Sequence, residues 1–243
     1  MIAKTSAIVL KVINFSESSL IVTMMTREHG KIAVIAKGAR KPKNKLSGLL
    51  SPGEILEVVY YYKNTRNVQT LTEAAYLHKL FKLRTDVFKM SLALSVLELV
   101  NQLTHENEIN IPVFNFLIRF LPWLNDYSKP SKLILPYVQI QLADLSGIGL
   151  QLNETDRSNV YLNISNGEIT ESPKGNSTIK LTYDQYTFIK MAVDVKKNSI
   201  FDINMSKNEL KDLIHHLDMY FRYHIEGIKE RKSDHIFDQL FDY

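Results

Sequence analysis

The sequence predicts an α+β protein in two parts, a small all-β domain followed by a mostly helical one. The observation that predicts it is a change of hydrophobic period: apolar residues alternate with a period of two up to about residue 76, and the period is helical after residue 80. We therefore expect a β domain at 1–79 and a helical domain at 80–243.

The first domain contains five segments that are rich in β-branched and aromatic residues, as strands are. Short polar turns, EHG and KNTRN, join the second segment to the third and the fourth to the fifth. Five strands in under 80 residues are too few for two full sheets, and they suit a small five-stranded barrel of the OB type. The segments are TSAIVLKVINF, SLIVTMMTR, KIAVIAKG, EILEVVYYY and VQTLTEAAY.

The third strand shows which face should line the barrel. Ile32, Val34 and Ala36 alternate with residues that include two lysines, Lys31 and Lys37. Because side chains alternate between the two faces of a strand, one face can fill the barrel while the other carries cations.

Three helices are expected after the barrel, at 86–104, 112–121 and 132–146. The second should end before Pro122, because proline cannot donate its helical hydrogen bond. In the first helix the polar residues follow helical spacing and everything around them is apolar, so we expect burial everywhere except along this stripe. The stripe consists of Ser91, Ser95, Glu98 and Gln102.

The C-terminal part shows two capping boxes and one hairpin signal. Ser206 with Glu209 marks the start of a long amphipathic helix, and Thr182 with Gln185 marks a shorter one. The segment 151–180 is polar and poor in helix signals. It contains VYLNISNGEIT, a hairpin with its turn at Asn166-Gly167.

Composition and motifs argue against several functions. The chain contains no Cys, which excludes disulfides, Cys-liganded zinc and a thiol nucleophile, and which favours a reducing cytoplasm. Its apolar runs are too short or too charged to span a bilayer, and the N-terminus lacks the layout of a signal peptide. No hydrolase, metalloprotease or P-loop motif occurs, and the adjacent His215 and His216 point about 100° apart on a helix. We therefore expect no enzyme, no metal and no cofactor.

Basic charge is concentrated at the N-terminal end. Residues 1–50 hold nine Lys or Arg and two Glu, for a net charge of +7, whereas residues 51–243 hold 21 cations and 24 acids, for −3. Five of the nine cations fall within nine residues, from Lys37 at the end of the third strand into the connection to the fourth, with no acid among them. Such a loop on an OB-type barrel favours binding to nucleic-acid phosphates, although a solvated surface stays an alternative. The main candidates are Arg40, Lys41, Lys43 and Lys45, and Arg27, Lys31 and Lys37 extend the patch along neighbouring strands.

A run of three tyrosines at 60–62 offers a second candidate feature. One of these rings could stack on a base, or the run could be ordinary strand aromatics, with Tyr60 and Tyr62 on one face and Tyr61 on the other.

The motifs ESSLIVT, TREHGK, AKGARKPK and LSGLLSPG together resemble the N-terminal domain of the RecO family of bacterial DNA-repair proteins, and YFRYHIEGIKERKSDHIF resembles the family's closing segment. The resemblance implies an OB barrel with a helical C-terminal domain. It implies binding to single- and double-stranded DNA and annealing of complementary strands. It also implies help in loading RecA onto DNA coated by single-strand-binding protein, with RecR as partner and RecF in the same pathway.

One departure from the family concerns metal. Many members carry a four-Cys zinc module in the C-terminal domain, and the matching region here, 151–180, has neither Cys nor His. A metal site therefore cannot be carried over. The resemblance also places the contact with the tail of single-strand-binding protein in the helical domain, without assigning it to individual residues. The basic residues there are a pool of candidates, and surface solvation is the alternative role for most of them: Lys207, Lys211, Arg222, Lys229, Arg231 and Lys232.

Two other functions stay open on the sequence alone. An OB barrel with a basic loop also suits an RNA-binding protein, which competition between DNA and RNA would distinguish because an RNA site reads 2′-hydroxyls. The second alternative is a protein-interaction scaffold whose basic loop contacts an acidic protein; such a scaffold would bind no nucleic acid.

Overall fold

A computed structural model describes residues 1–129, 131–153, 159–173, 175, 177–194 and 198–233. Two compact units divide the chain. One consists of Met1–Ser128 together with a short returning segment, of which 231–233 are described; the other spans 129–230. The predicted domain boundary at 79/80 is a statement about which part of the chain folds independently, and it stays a prediction.

The first unit begins with a closed barrel, as the sequence predicts. Its strands are adjacent in the order β1-β2-β3-β5-β4, and only the β3–β5 pair is parallel. β1 is long enough to pair with β2 along one part and β4 along another, which closes the barrel. The strands are β1 (Ile2–Phe15), β2 (Ser19–Thr26), β3 (Gly30–Ala36), β4 (Ile55–Tyr61) and β5 (Val68–His78).

The interior of the barrel follows the alternation read from β3. Ile32, Val34 and Ala36 are buried and belong to one apolar cluster with residues from the other strands. Three residues of the β3–β4 connection join that cluster as well, namely Ala39, Leu46 and Leu50. The barrel core thus anchors the segment that carries the basic cluster.

The described residues of the first unit also form three helices: α1 (Phe81–Thr85), α2 (Val87–Leu103) and α3 (Ile111–Asp126). α2 and α3 both pack against β1. Asp86 and Asn110 cap their N-termini by accepting hydrogen bonds from Lys89 N and Val113 N.

Two expectations about these helices are wrong. Ser91 and Ser95 are buried rather than exposed, and Glu98 accepts hydrogen bonds from the returning segment, so the polar stripe of α2 is covered. α3 continues through Pro122 to Asp126. The buried side chains of Leu121 and Leu124 compensate for the hydrogen bond that proline cannot make.

In the ranges that the structure describes, the second unit combines three helices with a small sheet. The predicted hairpin is present as β7 and β8, and β6 and β9 extend it to four strands in the order β6-β8-β7-β9. Both predicted capping boxes are present, at Ser206/Glu209 and Thr182/Gln185. The elements are α4 (Ile134–Leu145), β6 (Gln151–Leu152), β7 (Val160–Asn163), β8 (Glu168–Thr170), β9 (Thr178–Leu181), α5 (Tyr183–Asp194), a 3₁₀ turn (Asn198–Asp202) and α6 (Lys207–His224).

Candidate nucleic-acid interface

The connection between β3 and β4 is a series of tight turns. Lys41 N donates to Gly38 O at 2.9 Å, Asn44 N to Lys41 O at 3.0 Å, and Ser47 N to Asn44 O at 2.9 Å. Gly38 takes a φ of +69°, which lets the chain turn sharply at the end of β3. The loop backbone is therefore held by its own hydrogen bonds.

Uncharged groups fasten this loop to the barrel. The side chain of Asn44 accepts from Leu46 N at 2.8 Å and donates to Lys37 O at 3.3 Å. Ala39 and Leu46 are buried in the barrel core on either side of it. The role of Asn44 is not predicted from the sequence, although an Asn within a run of turn-forming residues is a signal for it.

Four lysines of the loop project into water. Lys37, Lys41, Lys43 and Lys45 are exposed. Within the part of the chain that the structure describes, none of them forms an ion pair or a side-chain hydrogen bond. Because no acid occurs between His29 and Gly53, the positive potential of the loop is not cancelled locally. We call these four residues the loop lysines.

Arg40 differs from the loop lysines because it also supports the fold. Its backbone N donates to Ser18 O at 2.9 Å, and its Nη1 donates to Ser16 O at 3.3 Å and Glu17 O at 3.1 Å. The guanidinium thus ties the β1–β2 turn to the loop. It has five N–H donors, so three stay available for a phosphate.

Arg27 and Lys31 lie at the other end of the barrel. Lys31 is the second residue of β3 and Lys37 directly follows its last residue, so about 20 Å of strand separates them. Lys31 is buried and donates from Nζ to Asn101 O at 2.7 Å, and burial lowers the pKa of its ammonium. Arg27 is exposed at the β2–β3 turn. The structure therefore does not extend the loop patch through Lys31, which serves the packing of β3 against the C-terminal end of α2.

Two further cations, not selected from the sequence, share the end of the barrel where Arg27 lies. Lys63 and Arg66 are exposed in the β4–β5 loop, which Gln69 holds through hydrogen bonds to both residues' backbone. No acid occurs between Glu57 and Glu73, and that gap was the available signal.

The three tyrosines divide as their alternation predicts. Tyr60 is fully buried, and its hydroxyl lies 2.7 Å from His29 Nδ1 in a hydrogen bond. Burial raises the pKa of Tyr60 to about 12. Tyr62 packs against the His29 ring with centroids 4.0 Å apart. Base stacking by Tyr60 is therefore ruled out, and Tyr61, which is 51% exposed, is the accessible ring.

The described residues contain no group of three or more His, Asp or Glu that could hold a metal ion. His215 and His216 have ring centroids 6.4 Å apart on α6. None of the helices in the described ranges is long and apolar enough to cross a membrane.

Comparison with known proteins covers both parts of the chain. A family model described as Recombination protein O N terminal matches residues 1–80, and one described as Recombination protein O C terminal matches residues 84–234. A DNA repair protein RecO from Chloroherpeton thalassium is 30% identical over 257 residues, which cover 99% of each chain. Proteins of the same name from Salinibacter ruber and Bacillus subtilis are 36% and 34% identical, and in both cases the match covers 63% of this chain and 59% of the relative.

Proposed function

The chain belongs to the RecO family of DNA repair proteins, and from that premise we propose that it is a non-enzymatic mediator of recombination. In this proposal it binds single- and double-stranded DNA and anneals complementary strands. With RecR it helps to load RecA on DNA coated by single-strand-binding protein, in the pathway that includes RecF. It works without a cofactor, in the cytoplasm at the nucleoid.

The observation that carries the proposal is the arrangement of the loop lysines. Their backbone is fixed by turns and by Ala39 and Leu46, while their ammonium groups are solvated and unopposed by acids. Such groups can replace counterions on phosphates and need no particular base sequence. The arrangement supports binding to a nucleic-acid backbone.

Annealing follows from the same electrostatics. Two complementary strands repel each other through their phosphates, and a protein that neutralises phosphates on both lowers that repulsion. Because phosphate contacts leave base edges free, the bound strands can still pair. No bond is made or broken by the protein in this role.

An annealing assay tests the proposal directly. Complementary strands are coated with single-strand-binding protein from the same organism, and duplex formation is followed with this protein, with RecR, and with both. We expect faster annealing with the protein present and RecA filament formation that depends on both proteins. Annealing at the rate of the coated strands alone, or a clear preference for RNA over DNA of the same sequence, would contradict the proposal.

A further inference from the structure

A buried carboxylate lies at the end of the loop that carries the loop lysines. Glu54 directly precedes β4, is 2% exposed, and has no hydrogen-bond partner for either carboxylate oxygen among the described residues. Its backbone is fixed to β1, because Val9 N donates to Glu54 O at 3.0 Å and Gly53 N donates to Val9 O at 2.9 Å. A buried carboxylate without hydrogen bonds is costly unless a cation lies close to it.

The cation beside this carboxylate is Arg84 of α1. Its Nη1 lies 3.1 Å from Glu54 Oε1, while 44% of its side chain is exposed. Burial raises the pKa of the Glu54 carboxyl, and the positive charge of Arg84 opposes that rise. Glu54 and Arg84 therefore form a pair in which the acid is enclosed by protein and the guanidinium is partly solvated.

Arg84 also lies close to the loop. Its Nη1 is 3.5 Å from the Tyr76 hydroxyl, which in turn donates to Gly48 O at 3.2 Å. Gly48 follows Lys45 by three residues, is exposed, and has no described atom within 4 Å of the position that a Cβ would take. Both side-chain contacts of Arg84 involve Nη1, and its Nε and Nη2 donors have no protein partner in the described ranges. These donors are available to a phosphate at this edge of the loop.

We propose that Arg84 is a further contact to the DNA backbone and that Glu54 controls its availability. While the carboxylate is charged, it balances the guanidinium and weakens the attraction of Arg84 for a phosphate. When the carboxylate loses its charge, the guanidinium becomes available to DNA beside the loop lysines. This inference rests on the proposed DNA-binding function and adds a means of regulating it through one buried acid.

The other groups around Glu54 decide how the inference is tested. α1 and α2 approach the preceding glycine through the apolar side chains of Leu83 and Leu97, and β1 contributes backbone. β5 contributes the Tyr76 hydroxyl and also His78, which is in register with the residue after Glu54. Because a histidine titrates at mildly acidic pH, every protein in the test retains His78.

The main test removes the charge of Glu54 and keeps its shape. Fluorescence anisotropy measures binding of the full chain to oligothymidylate of about 20 nucleotides over a series of salt concentrations. We expect Glu54→Gln to steepen the slope of log K against log salt by about 0.7, the change for one additional phosphate on a single strand. At about 0.1 M salt this corresponds to binding that is about fivefold tighter. Adding Arg84→Gln to this variant should abolish the gain.

The control variant is Asp126→Asn. It also removes one acid, and it leaves Lys82 of α1 without the carboxylate that lies 3.7 Å from its Nζ. Lys82 is two residues from Arg84, which is about 200° around the helix, so it points away from the loop. The slope of this variant should therefore match that of the unsubstituted chain.

Lowering the pH gives a second readout that needs no substitution at Glu54. Because the pKa of its carboxyl is raised, the acid begins to lose its charge above its ordinary range as pH falls from about 8 to about 5. The affinity of the unsubstituted chain should then rise toward that of Glu54→Gln, and Arg84→Gln should lack this rise. Circular dichroism checks that each protein is folded, and if Glu54→Gln is not, the comparison of pH responses decides.

Three results would overturn the inference. They are unchanged or weaker DNA binding by folded Glu54→Gln, a gain that persists in the double variant, and the same pH response with and without Arg84. The pair would then only connect the loop to α1. Failure of the proposed function looks different, because the unsubstituted chain would then bind no oligothymidylate, or would bind it independently of salt.

Discussion

The side chains beneath the loop decide whether its charges are useful. Lysines that paired with carboxylates would offer little to a phosphate, and lysines on a disordered loop would lose conformational entropy when they bound. Asn44, Ala39 and Leu46 hold the backbone with uncharged groups, so the ammonium groups are positioned without being neutralised. Arg40 combines both tasks because it bonds the carbonyls of Ser16 and Glu17.

Gly30 offers a test of the packing at the start of β3. It takes a φ of +65°, and a Cβ atom there would overlap the carbonyl group of Glu108. We expect Gly30→Ala to lower the free energy of unfolding by about 3 kcal/mol or more. The added methyl group forces the backbone at Glu108 to move, and the positive φ is itself strained for a residue with a Cβ atom. Gly48→Ala is the matched control: φ is +77°, and no atom lies within 4 Å of the added methyl group. It should cost only about 1 kcal/mol. Equal losses in urea unfolding would show that Gly30 is not sterically constrained.

Glu98 offers a test that depends on pH. Burial alone would raise the pKa of its carboxyl, but hydrogen bonds from Lys232 N, Ser233 N and Ser233 Oγ outweigh that effect and lower the pKa. The pKa in the folded state is therefore below the unfolded value of about 4.3, so Glu98 stabilises the fold above that pH and its contribution is lost as pH falls through the lowered pKa.

We expect Glu98→Gln to lose about 1–2 kcal/mol of unfolding free energy at neutral pH and to approach the stability of the unsubstituted chain in acid. Ser233→Ala, which removes one of the three hydrogen bonds, should lose less and keep the pH dependence. Urea titrations across this pH range measure both. A Glu98→Gln deficit that is the same at every pH would show that the carboxylate charge contributes nothing.

At the scale of elements, the sequence predicted the strands well because each carries its own period and its own turns. All five strands and both capping boxes are local signals, and they were found. The errors came from tertiary contacts. Nothing within α2 shows that the segment 231–233 covers its polar stripe, and nothing near Pro122 shows that Leu124 is buried beyond it. The same limit applies to Lys31, whose burial depends on the end of a distant helix.

Because α2 and α3 pack against β1, they should affect how stably the barrel folds on its own. Ile8, Met25 and Ile55 are fully buried but do not belong to the interior cluster of the barrel. We expect a fragment of residues 1–128 to unfold cooperatively in urea. Residues 1–79 should give a β-type circular dichroism spectrum with a lower urea midpoint, because they expose these side chains and a domain this small is marginal. Equal midpoints for the two fragments would show that the helices do not stabilise the barrel.

The four-stranded sheet of the second unit lies in the segment 151–181, which contains neither Cys nor His. It is held here by strand pairing and by packing, with Leu162 and Ile169 fully buried on β7 and β8. We expect chelator to leave the thermal unfolding of the protein unchanged, because structural zinc sites rarely form without Cys or His. Zinc that copurifies stoichiometrically with untagged protein and resists dialysis against chelator would contradict this expectation.

At the scale of the whole molecule, the net positive charge is concentrated in the N-terminal part of the chain. The excess of +7 in residues 1–50 contrasts with −3 over the rest of the sequence. A uniformly basic protein would bind nucleic acid without orientation, whereas in the proposed function this asymmetry directs DNA to the barrel. The helical remainder is left available for the protein partners in the proposed function.

The most direct test of the central claim is the dependence of single-strand binding on salt. If about five phosphates are neutralised, the slope of log K against log salt should be about −3.5. Replacing Lys37, Lys41, Lys43 and Lys45 with Ala, and keeping Arg40 for the fold, should flatten the slope by up to about 3 and weaken all sequences alike. The control replaces four exposed lysines elsewhere, Lys79, Lys129, Lys180 and Lys190, and should keep the original slope. A folded loop variant that binds with the unsubstituted slope would contradict the account, because the loop lysines would then be a solvated surface and not the DNA-binding site.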